Sequence, residues 1–144
     1  MAKALSLTRD QVEMRLKQKG LQPTLQRVGI GQFVLCSDEH PTADEVHAWA
    51  EKNLGKVSLA TVYNTLKSLV GVGLLREFRF GHSEKTVFDP NVEEHHHFVD
   101  ERTGRLHDVP LHSISLKSQL GPEFRVKNYE ILIKGIYQTK TKGR

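Results

Sequence analysis

Cysteine is almost missing from this sequence, whose 144 residues include only Cys36. A single thiol excludes an intramolecular disulfide, and we expect the protein to work in the reducing cytoplasm. No apolar run approaches the roughly 20 residues that span a membrane. The residues after Met1 also lack the apolar stretch of a secretory signal. We interpret Cys36 as a small packed side chain on a helix, because no His or Cys lies near it in sequence.

The composition is that of an ordinary globular domain. Hydrophobic residues make up 38% and charged residues 26% of the chain, which excludes a fibrous or highly charged disordered protein. The formal net charge of +4 makes a polyanion one class of partner to consider, although many proteins are mildly basic.

Helix-start signals recur through the first half of the chain. Thr8 with Gln11 and Thr42 with Glu45 have the spacing of a capping box, in which side chain and backbone bond reciprocally. The four predicted helices begin at Thr8, Thr24, Thr42 and Ser58. Beyond the fourth helix, Leu74 to Phe80 and Thr86 to Phe88 alternate like two strands around a turn at 81–85. Helices followed by a hairpin predict a winged helix-turn-helix domain over residues 1–88.

The second half, residues 89–144, reads as a small α/β dimerisation domain, with a hinge at 89–93. We expect His95–Glu101 to pair with Arg105–Val109, a short helix over Leu111–Leu120, and a strand over Phe124–Tyr137. The fold class is therefore α+β. A sheet this small buries little apolar surface, so a homodimer is expected.

The polar side of the fourth helix suits the major groove of double-stranded DNA. Base-edge or phosphate contacts are expected from Thr61, Tyr63, Asn64 and Thr65. Backbone contacts are expected from Arg27, Lys67, Arg76 and Arg79. The alternative is a solvated helix face, with Tyr63 as a half-buried core residue.

Histidine and aspartate form a second pattern. His95 and His97 are two apart in a predicted strand, so both side chains leave the same face. Asp89, Asp108 and His40 could join them in a site of three imidazoles and two carboxylates. Nitrogen and oxygen ligands without thiolate suit Fe(II) or Mn(II), and Zn(II) would bind many such sites in vitro. The alternative is a solvated histidine run, with His96 facing the other way.

Four segments, taken together and in order, resemble the Fur family of metal-dependent transcriptional regulators. They are Gly20-Leu-Gln-Pro-Thr-Leu-Gln-Arg27, His40-Pro-Thr-Ala-Asp44, Ser58-Leu-Ala-Thr-Val-Tyr-Asn-Thr-Leu66 and Glu94-His-His-His97. The resemblance implies a repressor that needs a divalent metal to bind its operator.

Two details are similar to the peroxide-sensing PerR branch of that family. Asn64 follows the tyrosine of the recognition helix, and Asp89 and Asp108 stand where iron-uptake members tend to have Glu. The resemblance implies a regulatory site at His40, Asp89, His95, His97 and Asp108. It also implies that peroxide, reacting with bound Fe(II), oxidises His40 or His95 and releases the DNA, whereas Mn(II) supports binding without sensing.

One departure from the family concerns its structural zinc, which is held by two Cys-x-x-Cys pairs. Here those positions are Asp100 and Thr103, then Tyr137 and Lys140, so we expect no structural zinc. We expect Val99, Ile136 and Tyr137 to fill the space.

Other functions remain open at this point. The first is an iron- or manganese-uptake regulator that does not sense peroxide. A zinc-uptake regulator is disfavoured, because its site commonly includes a cysteine and Cys36 is not placed to be a ligand. A non-haem iron oxygenase would also use two His and a carboxylate, but the chain leaves little room for a substrate pocket, so we expect no enzyme activity. A metal-independent winged-helix protein is the third alternative.

Overall fold

The computed structural model describes residues 6–79 and 84–139. Within them, each of four helices is preceded by a capping residue with a hydroxyl side chain. Each hydroxyl accepts a hydrogen bond from the backbone N–H three residues later, as predicted. At Thr8 the capping box is complete, because the Gln11 side chain also accepts from the Thr8 N–H at 2.9 Å. The helices are α1 (Arg9–Gln18), α2 (Leu25–Leu35), α3 (Ala43–Leu54) and α4 (Leu59–Gly71).

The apolar sides of these helices form one core. Its fully buried members include Val12, Leu16, Ile30, Val34, Val46, Val62, Leu66, Leu69 and Phe88. Two glycines inside α2 allow close helix approach. A Cβ atom on Gly31 would lie 3.1 Å from a methyl group of Val12 in α1, and one on Gly29 would lie 2.7 Å from a methyl group of Leu54 in α3.

A two-stranded antiparallel hairpin follows the helices. Strand β1 (Arg76–Arg79) pairs with β2 (Thr86–Asp89), so that Arg76 lies opposite Asp89. Gly73, at φ +80°, makes the turn out of α4, and β1 therefore begins later than the predicted Leu74. The predicted strand end at Phe80, and residues 81–83 of the predicted turn, lie outside the described residues. Helices and hairpin form the winged helix-turn-helix arrangement predicted.

The chain divides into two units, one ending at Val92 and the other beginning at Glu93. Asp89 thus belongs to the first unit as the last residue of β2. In the second unit, β3 (His95–Asp100) pairs antiparallel with β4 (Leu106–Pro110) around a turn in which Gly104 has φ +75°. Strand β5 (Leu132–Gly135) pairs parallel to β3 on its other side, giving the order β4-β3-β5.

Two predictions for the second unit are wrong in extent. The helix expected over 111–120 is only a 3-10 turn at Leu111–Ser113. Serines compete with the helical backbone for hydrogen bonds, and here the Ser118 hydroxyl accepts from the Leu120 N–H at 3.2 Å. The strand expected over 124–137 is shortened to β5, because only the four residues from Leu132 to Gly135 pair with β3.

No helix within residues 6–79 and 84–139 is both long and apolar enough to cross a membrane.

Candidate metal centre and nucleic-acid interface

His40 and Asp89 form a donor pair inside the first unit. Their facing atoms, His40 Nε2 and Asp89 Oδ2, lie 3.0 Å apart, and both side chains are buried. The other carboxylate oxygen of Asp89 accepts the backbone N–H of Asn91 at 2.9 Å, which fixes the orientation of the carboxylate. A buried imidazole facing a buried carboxylate is half of a nitrogen and oxygen metal site.

Backbone pairing places these two side chains together. The segment after His40 adds to the hairpin, because Thr42 bridges Val87 and the Phe88 N–H donates to the Pro41 carbonyl at 3.0 Å. His40 itself has φ +53°, in the left-handed region that side chains other than glycine seldom occupy. Such a conformation costs about 1 kcal/mol and persists where the surrounding structure holds it.

Three more donors face one another within the second unit. His95 and His97 leave the same face of β3, as predicted, and Asp108 in β4 is the direct cross-strand partner of His97. The His95 and His97 Nε2 atoms are 3.2 Å apart. Asp108 Oδ1 lies 3.2 Å from the first and 3.6 Å from the second. Ligands of a single ion with bonds of about 2.1 Å are separated by about 3.0–3.4 Å.

The hydrogen bonding of His95 fits a cation at this point. Its Nδ1 lies 2.6 Å from the Glu93 carbonyl, so Nδ1 carries a proton and donates it. In the neutral ring, Nε2 then presents a lone pair to an imidazole nitrogen and a carboxylate oxygen. These three donors repel one another unless a proton or a metal ion lies among them. A carbonyl holding Nδ1–H is also the usual support of a metal-bound histidine.

The exposed side of α4 carries several predicted DNA contacts. Tyr63 and Asn64 are both exposed, as is Arg79 on β1. Lys67 is also exposed, but its Nζ lies 2.8 Å from Glu77 on the hairpin, so part of its charge is already balanced. Arg76 is half-buried, with its guanidinium 4.9 Å from the centre of the Phe78 ring. Tyr63 and Asn64 are therefore the α4 side chains best placed to reach base edges.

The other predicted DNA contacts lie beside a polar cavity of about 240 Å³ between α4 and the start of α2. Arg27 lines it and donates to the Gln22 carbonyl at 3.0 Å. Thr61 and Thr65 also line it, but Thr65 is 4% exposed and its hydroxyl donates to the Thr61 carbonyl at 2.9 Å. Burial of this hydroxyl favours a structural role for Thr65 over the predicted base contact.

Three further residues of the cavity wall were not among the predicted contacts: Gln22, Thr24 and Gln26. Thr24 was recognisable only as a helix cap. Since the packing of α4 against the start of α2 brings these residues to Asn64, sequence spacing gave no signal for them.

A hydrogen-bonded turn occupies the first pair of family zinc positions. Asp100 is 3% exposed, and its carboxylate accepts from the Thr103 hydroxyl at 2.9 Å and from the Arg102 N–H at 3.0 Å. Burial raises the pKa of the Asp100 carboxyl, but the hydrogen bonds from Thr103 and Arg102, with the Arg102 charge, hold that pKa below the ordinary value. Asp100 and Thr103 thus bind each other where thiolates would bind zinc.

The second pair of family zinc positions is Tyr137 and Lys140, and Lys140 lies outside the described residues. Tyr137 stacks on His107, with ring centres 3.9 Å apart and planes within 12°. Its carbonyl accepts from the Arg102 guanidinium at 3.4 Å. Val99 is half-buried, but Ile136 is 62% exposed, so the expected filling of this region by Ile136 is not observed.

Cys36 has the packing role expected, and the His47 side chain is hydrogen-bonded within the first unit. Cys36 is half-buried, and its Sγ accepts the Leu7 N–H at 3.3 Å. The His47 Nε2 lies 2.8 Å from the Val57 carbonyl. His82 lies outside the described residues.

A winged helix-turn-helix unit, followed by a sheet with facing His and Asp donors, defines the class of metal-responsive DNA-binding regulators. The chain belongs to the ferric uptake regulator family, whose family model matches residues 18–134. Members of that family are transcription regulators rather than enzymes.

Individual relatives point to the same family. The peroxide-responsive repressor PerR of Staphylococcus aureus (strain Mu50) is 32% identical over 124 residues, which cover 84% of this chain and 83% of that repressor. A structure described as the basis of peroxide sensing and gene regulation by PerR from Streptococcus pyogenes is 28% identical, with a TM-score of 0.53 and coverage of 95% and 96%. A zinc-bound manganese uptake regulator shares the fold, at 23% identity and a TM-score of 0.66, covering 88% of this chain and 98% of its own.

Proposed function

We propose that this protein is a metal-dependent repressor that senses hydrogen peroxide through oxidation of a metal-ligand histidine. The observation that carries the proposal is the three-donor group of His95, His97 and Asp108, whose facing atoms lie 3.2–3.6 Å apart. In the proposal one Fe(II) or Mn(II) ion is bound jointly by this group and by the pair His40 and Asp89. Nitrogen and oxygen donors of this kind suit either metal.

Joint binding explains how a metal could control the DNA affinity. His40 and Asp89 belong to the unit that carries α4, whereas the other three ligands belong to the unit of β3 and β4. Divalent metal therefore favours one arrangement of the two units, and the DNA affinity follows the metal. In this proposal, residues 89–93 remain the hinge between the two units.

Peroxide sensing needs a metal that reduces peroxide close to an oxidisable ligand. When held by these ligands, Fe(II) would supply that reducing power. One oxygen atom of the peroxide would enter the ring of His40 or His95, the other would leave as water, and the ring would be oxidised by two electrons overall. The His95 ring is held at Nδ1 by the Glu93 carbonyl, so its Nε2 stays directed toward His97 and Asp108. Oxidation of a ligand weakens the joint site, and the repressor then releases DNA. The 32% identity to a peroxide-responsive repressor supports this branch of the family.

We also propose that the repressor binds its operator as a homodimer through the second unit. Large apolar side chains remain exposed along this part of the single chain, a pattern typical of an association surface. They are Leu116, Leu120, Phe124, Val126, Tyr129 and Ile136. In our proposal the dimer forms without a structural zinc, because the Asp100 turn replaces the first thiolate pair.

The decisive experiment compares two metals on the same DNA. Duplexes selected from random sequence by the Mn(II)-loaded protein are labelled, and fluorescence anisotropy follows binding as near-stoichiometric peroxide is added under anaerobic conditions. We expect the Fe(II) form to release DNA and to gain one oxygen atom at His40 or His95 by mass spectrometry, while the Mn(II) form stays bound. Retention by both forms would overturn peroxide sensing and leave an iron- or manganese-uptake regulator.

A further inference from the structure

The cavity between α4 and the start of α2 has the chemistry of an anion site. Its described lining residues include one cation, Arg27, and no carboxylate. The rest of the wall is polar: the carboxamides of Gln22, Gln26 and Asn64, and the hydroxyls of three threonines. A polar cavity with a guanidinium and no opposing negative charge favours a ligand such as phosphate.

Within this wall the hydroxyls are already used. Thr24 accepts from the Arg27 N–H at 3.2 Å, and Thr65 donates to the Thr61 carbonyl at 2.9 Å. The Thr61 hydroxyl lies 2.9 Å from that of Ser58. The threonines therefore shape the cavity and contribute little to binding a ligand.

The nitrogen donors are the groups left for a ligand. Among residues 6–79 and 84–139, the carboxamides of Gln22, Gln26 and Asn64 have no hydrogen-bond partner. Arg27 gives one N–H to the Gln22 carbonyl, which holds the guanidinium at the wall and leaves further N–H groups to donate. Since the Thr24 N–H donates to the same carbonyl at 3.0 Å, the carbonyl itself is fixed in place.

We infer that this cavity binds one phosphate group of the DNA backbone, held by Gln22 and Gln26 together with Arg27. The inference rests on the proposed DNA-binding function and adds two residues to it. With the phosphate fixed here, Asn64 on the same wall is positioned against the neighbouring base edge. Phosphate contacts of this kind set the register of a protein on the duplex but do not read sequence.

The test uses the full-length, Mn(II)-loaded protein and two labelled duplexes, one selected from random sequence and one unselected. The double variant Gln22→Ala/Gln26→Ala should bind both duplexes about tenfold more weakly, the scale of a hydrogen bond to a charged group. Because the glutamines are neutral, the salt dependence of binding should not change, whereas Arg27→Ala should also reduce it. Gln18→Ala is the matched control, since Gln18 is exposed at the end of α1 and outside the cavity wall.

A scan with neutral methylphosphonate groups, placed one at a time in the selected duplex, identifies the phosphate. The wild type should lose affinity at one position per half-site, and the double variant should change there by less than about twofold, since the two losses share one contact. Unchanged affinity of the double variant, or a loss confined to the selected sequence, would overturn the inference and leave DNA binding intact. A wild-type protein that binds neither duplex would instead remove the proposed function and this inference with it.

Discussion

His40 is closely constrained by the structure around it. It combines a left-handed backbone with a buried imidazole that faces the Asp89 carboxylate at 3.0 Å. The residues that follow it are bonded to β2, so the imidazole position is set by the hairpin rather than by the metal. A ligand held in this way needs little reorganisation when a metal binds.

Replacing His40 tests this assignment directly. We expect His40→Ala to weaken Mn(II) binding by at least about tenfold, because removing a ligand costs no less than removing one of its supports. Isothermal titration calorimetry gives the affinity. His47→Ala is the control, since His47 bonds to the Val57 carbonyl and lies outside the proposed site. Equal Mn(II) affinity in both variants would exclude His40 as a ligand.

Asp100 predicts how stability should depend on pH. Its pKa in the folded protein lies below the ordinary value of 3.8, so its carboxylate stabilises the fold above that pH. The contribution is lost as the pH falls through the folded-state pKa. Asp100→Asn should therefore lower the free energy of unfolding at pH 7, and its difference from the wild type should shrink toward pH 3.

Urea unfolding at pH 7, 5 and 3 measures this difference. Glu101→Gln removes a neighbouring exposed carboxylate and should leave the pH profile unchanged. A constant difference between Asp100→Asn and the wild type across this range would show that the charge of Asp100 does not stabilise the turn.

At the scale of secondary-structure elements, one residue both begins α3 and joins it to the hairpin that carries Asp89. Thr42 caps α3 by accepting the Glu45 N–H at 3.2 Å, and the same residue bridges Val87 in the hairpin. Thr42→Ala should destabilise the protein by about 1 kcal/mol, the usual cost of losing a cap. Thr42→Ser keeps the oxygen acceptor and should recover most of the loss in thermal unfolding. Equal destabilisation by both substitutions would indicate that the methyl group matters more than the cap.

Local chemistry made the helices and the histidine strand predictable. Each helix begins at a hydroxyl side chain that bonds to the backbone three residues later, at Thr8, Thr24, Thr42 and Ser58. The period-two spacing of a strand puts His95 and His97 on one face. Non-local pairing was not predictable in the same way. Residues 124–131 alternate like a strand, but in the part of the chain that the structure describes they belong to no strand. The parallel pairing of β5 with β3 is not visible as a pattern in either sequence. The residues that line the cavity were not predicted for the same reason, because the packing of two helices brings them together.

At the scale of the whole molecule, we predict that the protein forms its dimer without a structural zinc. Protein purified without added metal and treated with chelator should remain a dimer by sedimentation, because Asp100, Thr103 and the stack of Tyr137 on His107 need no ion. Elemental analysis should find far less than one zinc per chain. Stoichiometric zinc that resists the chelator, or a monomer after its removal, would show that another metal site supports the dimer.

The position of β5 also has a consequence for synthesis on the ribosome. The first unit ends at Val92, so it can fold while later residues are still being added. Strand β3 must wait for Leu132–Gly135 before its second edge is covered. During that interval the nascent chain carries a folded winged helix and, in the second unit, a sheet with one edge uncovered. The surface proposed to contact DNA is therefore folded before the sheet that carries His95, His97 and Asp108 is complete.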